Sequence, residues 1–532
     1  MELSDETQPA HGRGSLWARW RERRRKRWEK LARWERIFER GFTVFLTGIV
    51  AVVGAYSYAG RVAWERTQRE LEAKGEKLSL GELMPPRMHD ALNFYADPLW
   101  DEVAEKEVVV DGEVDFVPGV PADKQRLKVG SRKLTPEEIA SFKKAYPRLS
   151  DLNFEGTRYG VLIQGWSKVS ERDDESKLEM AKLTLESQKR EEPVLAKVEE
   201  LLKRPGAHFR SNYKDGARAS LPQLGPLLYL GQGFLVRVRA EVVLGDRAAA
   251  FRDVQNLIAL AHVLRTEPFS LLYMVRLSLT GMSLVAIEYG LKAHAWSEAD
   301  LVAFEAALKG EDLLPGLVQS QRTERAGFND VMEQIRTGNF RAMKLSERAA
   351  MAPGKDEKTA VEKWENRMLL NALFLICAPQ DQADTNRRFQ QVIDAANERS
   401  WGGFRSLPSD DGRKHASLFS KVSHCYSCLL TYDSRAWDRA ARVQEEIEQT
   451  RIACGLERYY LAKKEYPEKL EALVPEYMSA VPGDILTGKA MHYKRTEPGT
   501  FLLWANGWDG KDDGGRAVKL HEREGDWVWG KP

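Results

Sequence analysis

Phe42 to Ala59 reads FTVFLTGIVAVVGAYSYA, eighteen residues with no charge, bounded by Arg40 and Arg61. As an α-helix rising about 1.5 Å per residue this run is ~27 Å long, close to the hydrocarbon thickness of a bilayer. Tyr56, Tyr58 and Trp64 stand at its distal end, where amphipathic rings prefer the headgroup level. Lys and Arg crowd the proximal side from Arg13 to Arg40, so the positive-inside rule places the N-terminus in the cytoplasm. The competing reading is a cleaved signal peptide, with Ser57-Tyr58-Ala59 as a small-x-small cleavage site. Signal peptides carry an apolar core of roughly 7–15 residues behind a short basic region. Here the run is longer and the preceding tail is about forty residues, so an uncleaved anchor is expected.

Working back from the anchor, SLWARWRERRRKRWEKLARWERIFER carries Trp17, Trp20, Trp28, Leu31 and Phe38 on one helical face, with Trp34 on its flank. Arginines fill the other face. Such a helix suits the anionic cytoplasmic leaflet, where each Lys or Arg contributes about 1 kcal/mol. The positive-inside rule alone explains the charge equally well.

Residues 1–41 hold twelve Lys/Arg and seven Asp/Glu, hence +5, which leaves −3 for the rest of a chain whose net charge is +2. A near-neutral bulk argues against nucleic acid as a partner, because phosphate binding needs a concentrated basic face. With 43% hydrophobic and 30% charged residues among 532, the chain is a folded protein of roughly two to four domains. Four cysteines, Cys377, Cys425, Cys428 and Cys454, are too few to build a disulfide scaffold.

Beyond the anchor, Arg61–Lys74 continues the helical pattern to Gly75, and Pro85-Pro86 marks a linker. Thr135-Pro136-Glu137-Glu138 is a capping box, with Leu134 placed to staple onto Ile139. A short helix over Pro193–Arg204 turns Leu195, Val198 and Leu202 to one side. From Leu221 to about Ala440 the pattern is strongly helical. Phe234–Leu244 and Arg247–Arg265, joined by Gly245-Asp246, read as an antiparallel pair, and Gly245-Asp246 followed by Ala250 resembles a tetratricopeptide hairpin turn. Val238 occupies the small-residue position of that motif, and no second copy follows at a period of ~34. Leu272, Val275, Leu279, Met282, Ala286 and Tyr289 predict the core stripe of a further helix, whose uncharged run Leu277–Ile287 is too short to span a bilayer. Ser297 with Asp300 caps the next helix, with Leu301, Phe304 and Leu308 inward. Leu369–Cys377 is a nine-residue apolar run, expected as a buried helix and not as a second anchor.

At residue 441 the character changes. A helix over Val443–Leu461 leads to Tyr466-Pro467, a Leu-rich turn LEALVPEYM, strands over Met491–Arg495 and Thr500–Ala505, and the loop NGWDGKDDGG. LERYYLAKKEYPEKLEALVPEY (Leu456–Tyr477), VPGDILTGKAMHYKR and FLLWANGWDGKDDGG together resemble the globular part of type II secretion major pseudopilins. The resemblance covers about seventy residues and implies a similar fold. It does not imply assembly into a pilus, since the membrane segment lies almost four hundred residues upstream and Ile485 replaces the Pro that often follows the Asp. The whole arrangement resembles large membrane proteins of planctomycete and verrucomicrobial bacteria.

Chemistry-bearing residues are few. His424-Cys425-Tyr426-Ser427-Cys428 is a lone CxxC with no thioredoxin-like frame around it, and His415, His424, Cys425 and Cys428 match no standard zinc spacing. A local disulfide or two inert thiols is the plainer reading. Asp509-Gly510-Lys511-Asp512-Asp513-Gly514 supplies oxygen ligands on a tightly turning backbone. In the secretion pseudopilins the comparable loop binds calcium, and the resemblance carries that role to Asp509, Asp512 and Asp513. Aspartate-glycine clusters are also ordinary turns. A Walker loop, a dinucleotide fingerprint after a strand, HExxH and GxSxG are all missing from the sequence.

The expected architecture is mainly α. It comprises a basic cytoplasmic tail (1–41), a transmembrane helix (42–60), a stalk and mixed polar region (61–215), a helical-hairpin domain (216–440) and a small pilin-like α+β unit (441–532). The expected role is a membrane-anchored extracytoplasmic scaffold of a bacterial envelope, with the lipid bilayer and protein partners as its contacts. The alternative is an extracytoplasmic enzyme or a thiol-redox or metal protein using Cys425 and Cys428. Thr47, Ala51, Ala55 and Ala59 line small side chains along one face of the anchor, the pattern of a parallel transmembrane homodimer.

Overall fold

The computed structural model describes residues 16–30, 33–86, 88–101, 105–110, 113–118, 133–154, 157–209, 221–336, 360–398, 401–406, 436–496, 499–517 and 524–530. Among these the chain is mainly helical. The helices are α1 (Leu16–Lys30), α2 (Arg33–Ala73), α3 (Leu80–Leu83), α4 (Pro136–Ala145), α5 (Arg158–Val169), α6 (Asp174–Gln188) and α7 (Glu192–Leu201). They continue with α8 (Leu224–Leu244), α9 (Arg247–Val263), α10 (Ser270–Lys292), α11 (Glu298–Lys309), α12 (Leu314–Arg336), α13 (Ala360–Asn397) and α14 (Ala436–Lys463). Strands β1 (Glu105–Val110) and β2 (Glu113–Pro118) form an antiparallel pair. Strands β3 (His492–Arg495), β4 (Phe501–Ala505) and β5 (Trp527–Val528) form a sheet with β4 in the middle, antiparallel to both neighbours.

Local chemistry fixes the helix ends where the sequence places them. Thr135 Oγ1 accepts from the Glu138 amide while Glu138 returns the bond to Thr135, closing the capping box of α4. Ser297 and Asp300 do the same for α11, whose Leu301, Phe304 and Leu308 are buried. Gly245 ends α8 at φ +77°, and Asp246 caps α9 through the Ala249 amide, so the α8–α9 hairpin turns tightly.

α8 begins ten residues earlier than Phe234. The added turns carry Gly231 and Gly233, and each lies where another element approaches closely. A Cβ on Gly231 would meet Leu279 at 2.4 Å, and one on Gly233 would meet the Tyr159 hydroxyl at 2.7 Å. The expected single stripe of α10 is likewise too narrow. Leu272, Val275, Leu279 and Ala286 are buried as expected, but so are Tyr273, Leu277, Leu284 and Ile287, because α8, α9, α12 and α14 enclose the helix on several sides. The core is continuous from Phe94 to Trp527, and α14 packs on α10 and α11. The first helix of the C-terminal unit is therefore also a wall of the helical body.

Candidate functional site

Three places are described for their polar chemistry: the joint between α2 and the body, the C-terminal unit and the α8–α9 hairpin.

α2 is a single helix from the tail through the apolar run to Ala73. Its apolar window has a mean hydropathy of 1.7 and is 0% buried, and Phe38, Val44, Phe45 and Val52 are among its exposed side chains. α10 is the second helix long and apolar enough to cross a membrane, but 67% of its window is buried. It also carries the buried Arg276. The exposed apolar stretch of α2 ends where α13 begins to cover it: Val53, Tyr56 and Ser57 are partly covered, and Gly60, Thr67 and Leu71 are buried. These positions recur at three- and four-residue steps, the seam along which one helix faces another. Gly60 allows the close approach, since a Cβ there would lie 3.0 Å from the Gln380 nitrogen.

Past Gly75, at φ +77°, the chain turns back and is clamped. Glu76 accepts two bonds from Arg322, at 2.9 and 2.8 Å, and one from Arg325 Nη2 at 2.5 Å. Arg325 is wholly buried (0% exposed), and its Nη1 donates to Gln390 of α13 at 2.6 Å. Burial works to raise the Glu76 carboxyl, but hydrogen bonds from Arg322 and Arg325 and their charges outweigh it and hold it below its ordinary range. Beside the clamp, Asn329 of α12 and Asn386 of α13 exchange amide hydrogen bonds at 3.0 and 2.8 Å. Lys74 pairs with Asp394 at 2.9 Å, and the Leu80 amide donates to Asp330 at 3.3 Å. The segment that follows α2 is thus held by ionic and amide groups from two helices.

The C-terminal unit is organised by buried carboxylates. Asp484 accepts from the amides of Leu486, Thr487 and Asn506, at 2.7, 3.0 and 3.3 Å, and so ties the VPGD turn to the end of β4. Glu445 accepts from the Ile485 amide at 2.9 Å, and burial, then the charge of Asp484, pushes its carboxyl well above the usual range. Glu457 joins His294 Nδ1 at 2.8 Å and the Tyr466 hydroxyl at 3.0 Å. His294, at φ 48°, stacks on Tyr460 with centroids 4.5 Å apart. A Glu–His pair is half of a nucleophile-activating arrangement, but among the described residues no hydroxyl or thiol hydrogen-bonds the His294 ring. Its geometry serves to join the end of α10 to α14.

The three aspartates proposed from sequence lie in one loop but make different contacts. Asp509 accepts from the Lys511 amide at 3.1 Å. Asp512 accepts from Trp504 Nε1 and the Gly514 amide, both at 2.9 Å, and its other oxygen lies 3.5 Å from His492. The Asp513 amide donates to Asp526 at 3.0 Å, and the Gly515 amide donates to the same carboxylate at 2.7 Å. Asp526 is fully buried. It closes the loop from the far side, a role invisible in the Asp/Gly spacing. Among the described residues no three His, Cys, Asp or Glu side chains converge as a metal site.

Cys425, Cys428, His415 and His424 lie outside the described residues, as does the side chain of Cys377. Cys454 is a free, buried thiol, and burial, followed by the charges of Glu305 and Glu457, raises its pKa. It is poorly suited to act as a thiolate nucleophile.

A third polar cluster escaped sequence reading. Within the α8–α9 hairpin, Arg237 donates to Asp253 at 2.6 Å and to Glu241 at 3.3 Å. Burial, and then the charge of Asp253, raises the Glu241 carboxyl to about 8 despite Arg237. One arginine therefore serves two buried acids, and burial raises both carboxyls above their ordinary range.

The described residues define a mainly helical chain with one long helix whose apolar window is uncovered and whose distal end is locked to the body. No family model matches the sequence, and no curated protein or solved structure matches it.

Proposed function

We propose that this chain is a membrane-anchored scaffold or interaction protein. The apolar stretch of α2 spans the bilayer once, the basic tail stays in the cytoplasm, and the helical body stands on the far side. The observation that carries this reading is the contrast between the two apolar helices, one bare along its window and the other mostly inside the body. Burying apolar surface is worth about 25 cal/mol per Å², and a bilayer is the medium that supplies it along an uncovered helix of this length.

The clamp adds a mechanical element. Because α2 ends at Ala73 and the chain is clamped three residues later, at Glu76, by Arg322 and Arg325, the body is fixed to its anchor and does not hang from a flexible linker. A scaffold that presents a contact surface at a set height above the membrane has this construction. Placement in a bacterial envelope rests on the sequence resemblances, and the helix–turn–sheet order of residues 436–528 is compatible with the pilin-like likeness. Thr47, Ala51, Ala55 and Ala59 lie across the helix from the Val53–Gly60 face that α13 covers, and all four are exposed, which leaves them available for a homodimer.

The reading is tested by single-cysteine labelling of the full chain in right-side-out vesicles. A cysteine at Ser79 should react with an impermeant maleimide from outside, and one at Ser4 only after permeabilisation. The reverse pattern, or labelling of both from outside, would overturn the topology.

A further inference from the structure

The cytoplasmic tail carries a charged surface that the anchor reading leaves unused. Over Trp20–Arg27 of α1 there are six Lys/Arg against one acid, Glu22, a net of +5 in eight residues. Lys26 pairs with Glu22 at 2.9 Å, so the acid offsets a cation on its own side of the helix. Trp20, Arg23, Arg24 and Arg27 follow one another at helical steps of three, one and three residues and so share one face. Trp20 is 50% exposed, and Arg23 and Arg27 are exposed beside it. The Arg24 guanidinium lies over the indole, 5.0 Å from the ring centroid. The tryptophan face is therefore not purely apolar, because guanidinium groups are set into it.

Such a face matches phosphate at a water–lipid boundary. Guanidinium forks bind phosphate oxygens in bidentate pairs, and an indole among them beds at the headgroup level, its ring toward the acyl chains and its N–H toward water. The tether decides which phosphate. α2 is helical from Arg33, so Arg33 lies ~14 Å along the axis from Phe42. The six residues from Arg27 to Arg33 reach at most ~21 Å even when fully extended. Arg27 therefore stays within ~35 Å of the membrane segment whatever path the link takes. Attachment of α1 to lipid is then intramolecular, and a weak affinity for each headgroup suffices. A nucleic acid has no such advantage, and the rest of the chain, at −3 beyond residue 41, adds no net positive charge to hold it.

We propose that the Trp20–Arg27 face of α1 lies on the cytoplasmic leaflet and binds the phosphates of anionic lipids. This rests on the anchor reading above and goes beyond it: the tail is a lipid-binding element and not a solvated run of topology signals. It gives the chain a preference for anionic membrane that a bare span does not have.

The experiment uses the full chain in lipid nanodiscs, made of a phosphocholine lipid alone or with a phosphoglycerol lipid mixed in, and follows amide hydrogen exchange over Trp20–Arg27. The result expected is exchange slower by about tenfold or more with the anionic lipid at low salt. Most of that gain should be lost in about 1 M salt, where charges are screened beyond about 3 Å. Arg23→Gln combined with Arg24→Gln and Arg27→Gln should abolish most of the difference between the lipids, and if that variant fails to insert, the unmodified chain decides the question by itself. Equal exchange in the two lipids at low salt, with the amides of 42–59 protected in both, overturns the proposal and leaves the anchor standing. Rapid exchange over 42–59 overturns the anchor reading itself. If a short single-stranded RNA slows Trp20–Arg27 in phosphocholine discs and the anionic lipid does not, the face belongs to nucleic acid and the proposal falls.

Discussion

Glu76→Gln is the most informative single change, because it keeps the shape of the clamp and removes its charge. Arg325 has no exposed surface and would lose its counter-ion. Removing one partner of a buried pair costs about 3–5 kcal/mol. Arg322 is about a third exposed, so solvent screens its share and it adds little. Glutamine still accepts one hydrogen bond, which favours the lower end, about 3 kcal/mol, or roughly a hundredfold in a local opening equilibrium. Hydrogen exchange of the full chain in nanodiscs reads this directly. Amides from Lys74 to Leu83 should exchange roughly a hundredfold faster where local opening limits them, while α8 and α9 keep their protection. Glu70→Gln, which removes the exposed Arg66–Glu70 pair, should leave the same amides within a few-fold of the parent. Since the folded Glu76 carboxyl lies below its ordinary 4.5, docking is at full strength above that pH and weakens as acid protonates the folded group. Protection of Lys74–Leu83 unchanged in Glu76→Gln would refute the clamp.

Other outcomes follow from the remaining polar groups. Glu241, at about 8 when folded, binds a proton on folding, so its contribution falls as pH rises from its ordinary 4.5 toward 8. Glu241→Gln should raise the melting temperature at pH 7–8, by an effect on the order of 1–3 kcal/mol, and leave it nearly unchanged near pH 4. A lower melting temperature at pH 7 would contradict this. Asp526→Asn should loosen the 513–515 loop and lower stability by about 1–3 kcal/mol, because the buried acceptor of two amides is weakened; the melting curve measures this. With Asp526 closing the loop, added Ca²⁺ should leave the same melting temperature unchanged, and a rise that chelator reverses would assign the ion to Asp509, Asp512 and Asp513. Ala51→Leu with Ala55→Leu should abolish a transmembrane dimer without altering insertion, and unchanged crosslinking would exclude that face.

How much was legible in the sequence follows the range of the interaction involved. Thr135 with Glu138, Ser297 with Asp300, and Gly245 with Asp246 could be read because a cap is settled within four residues. The long apolar helix was legible because an uncharged run of that length leaves a clear pattern in the sequence. The start of α8 was less legible, since the role of its Gly231 and Gly233 is to admit Leu279 and Tyr159 from elsewhere in the fold. The β1–β2 pair was missed although Asp111-Gly112 lies between its strands, the strongest short hairpin signal there is. β5 is two residues long and leaves no pattern. The clamp was out of reach for a plainer reason: Glu76 meets partners 246 and 249 residues away, and nothing local marks them. Asp526 likewise leaves no local mark, because it stands eleven residues beyond Gly515 and outside the Asp/Gly spacing.

The central claim is that α2 alone binds the chain integrally to the bilayer. Alkaline carbonate extraction of native membranes tests it most directly, comparing the full chain with one lacking Phe42–Ala59. The account predicts that the full chain stays in the membrane pellet and the deleted chain moves to the supernatant. Release of the full chain by carbonate would contradict it.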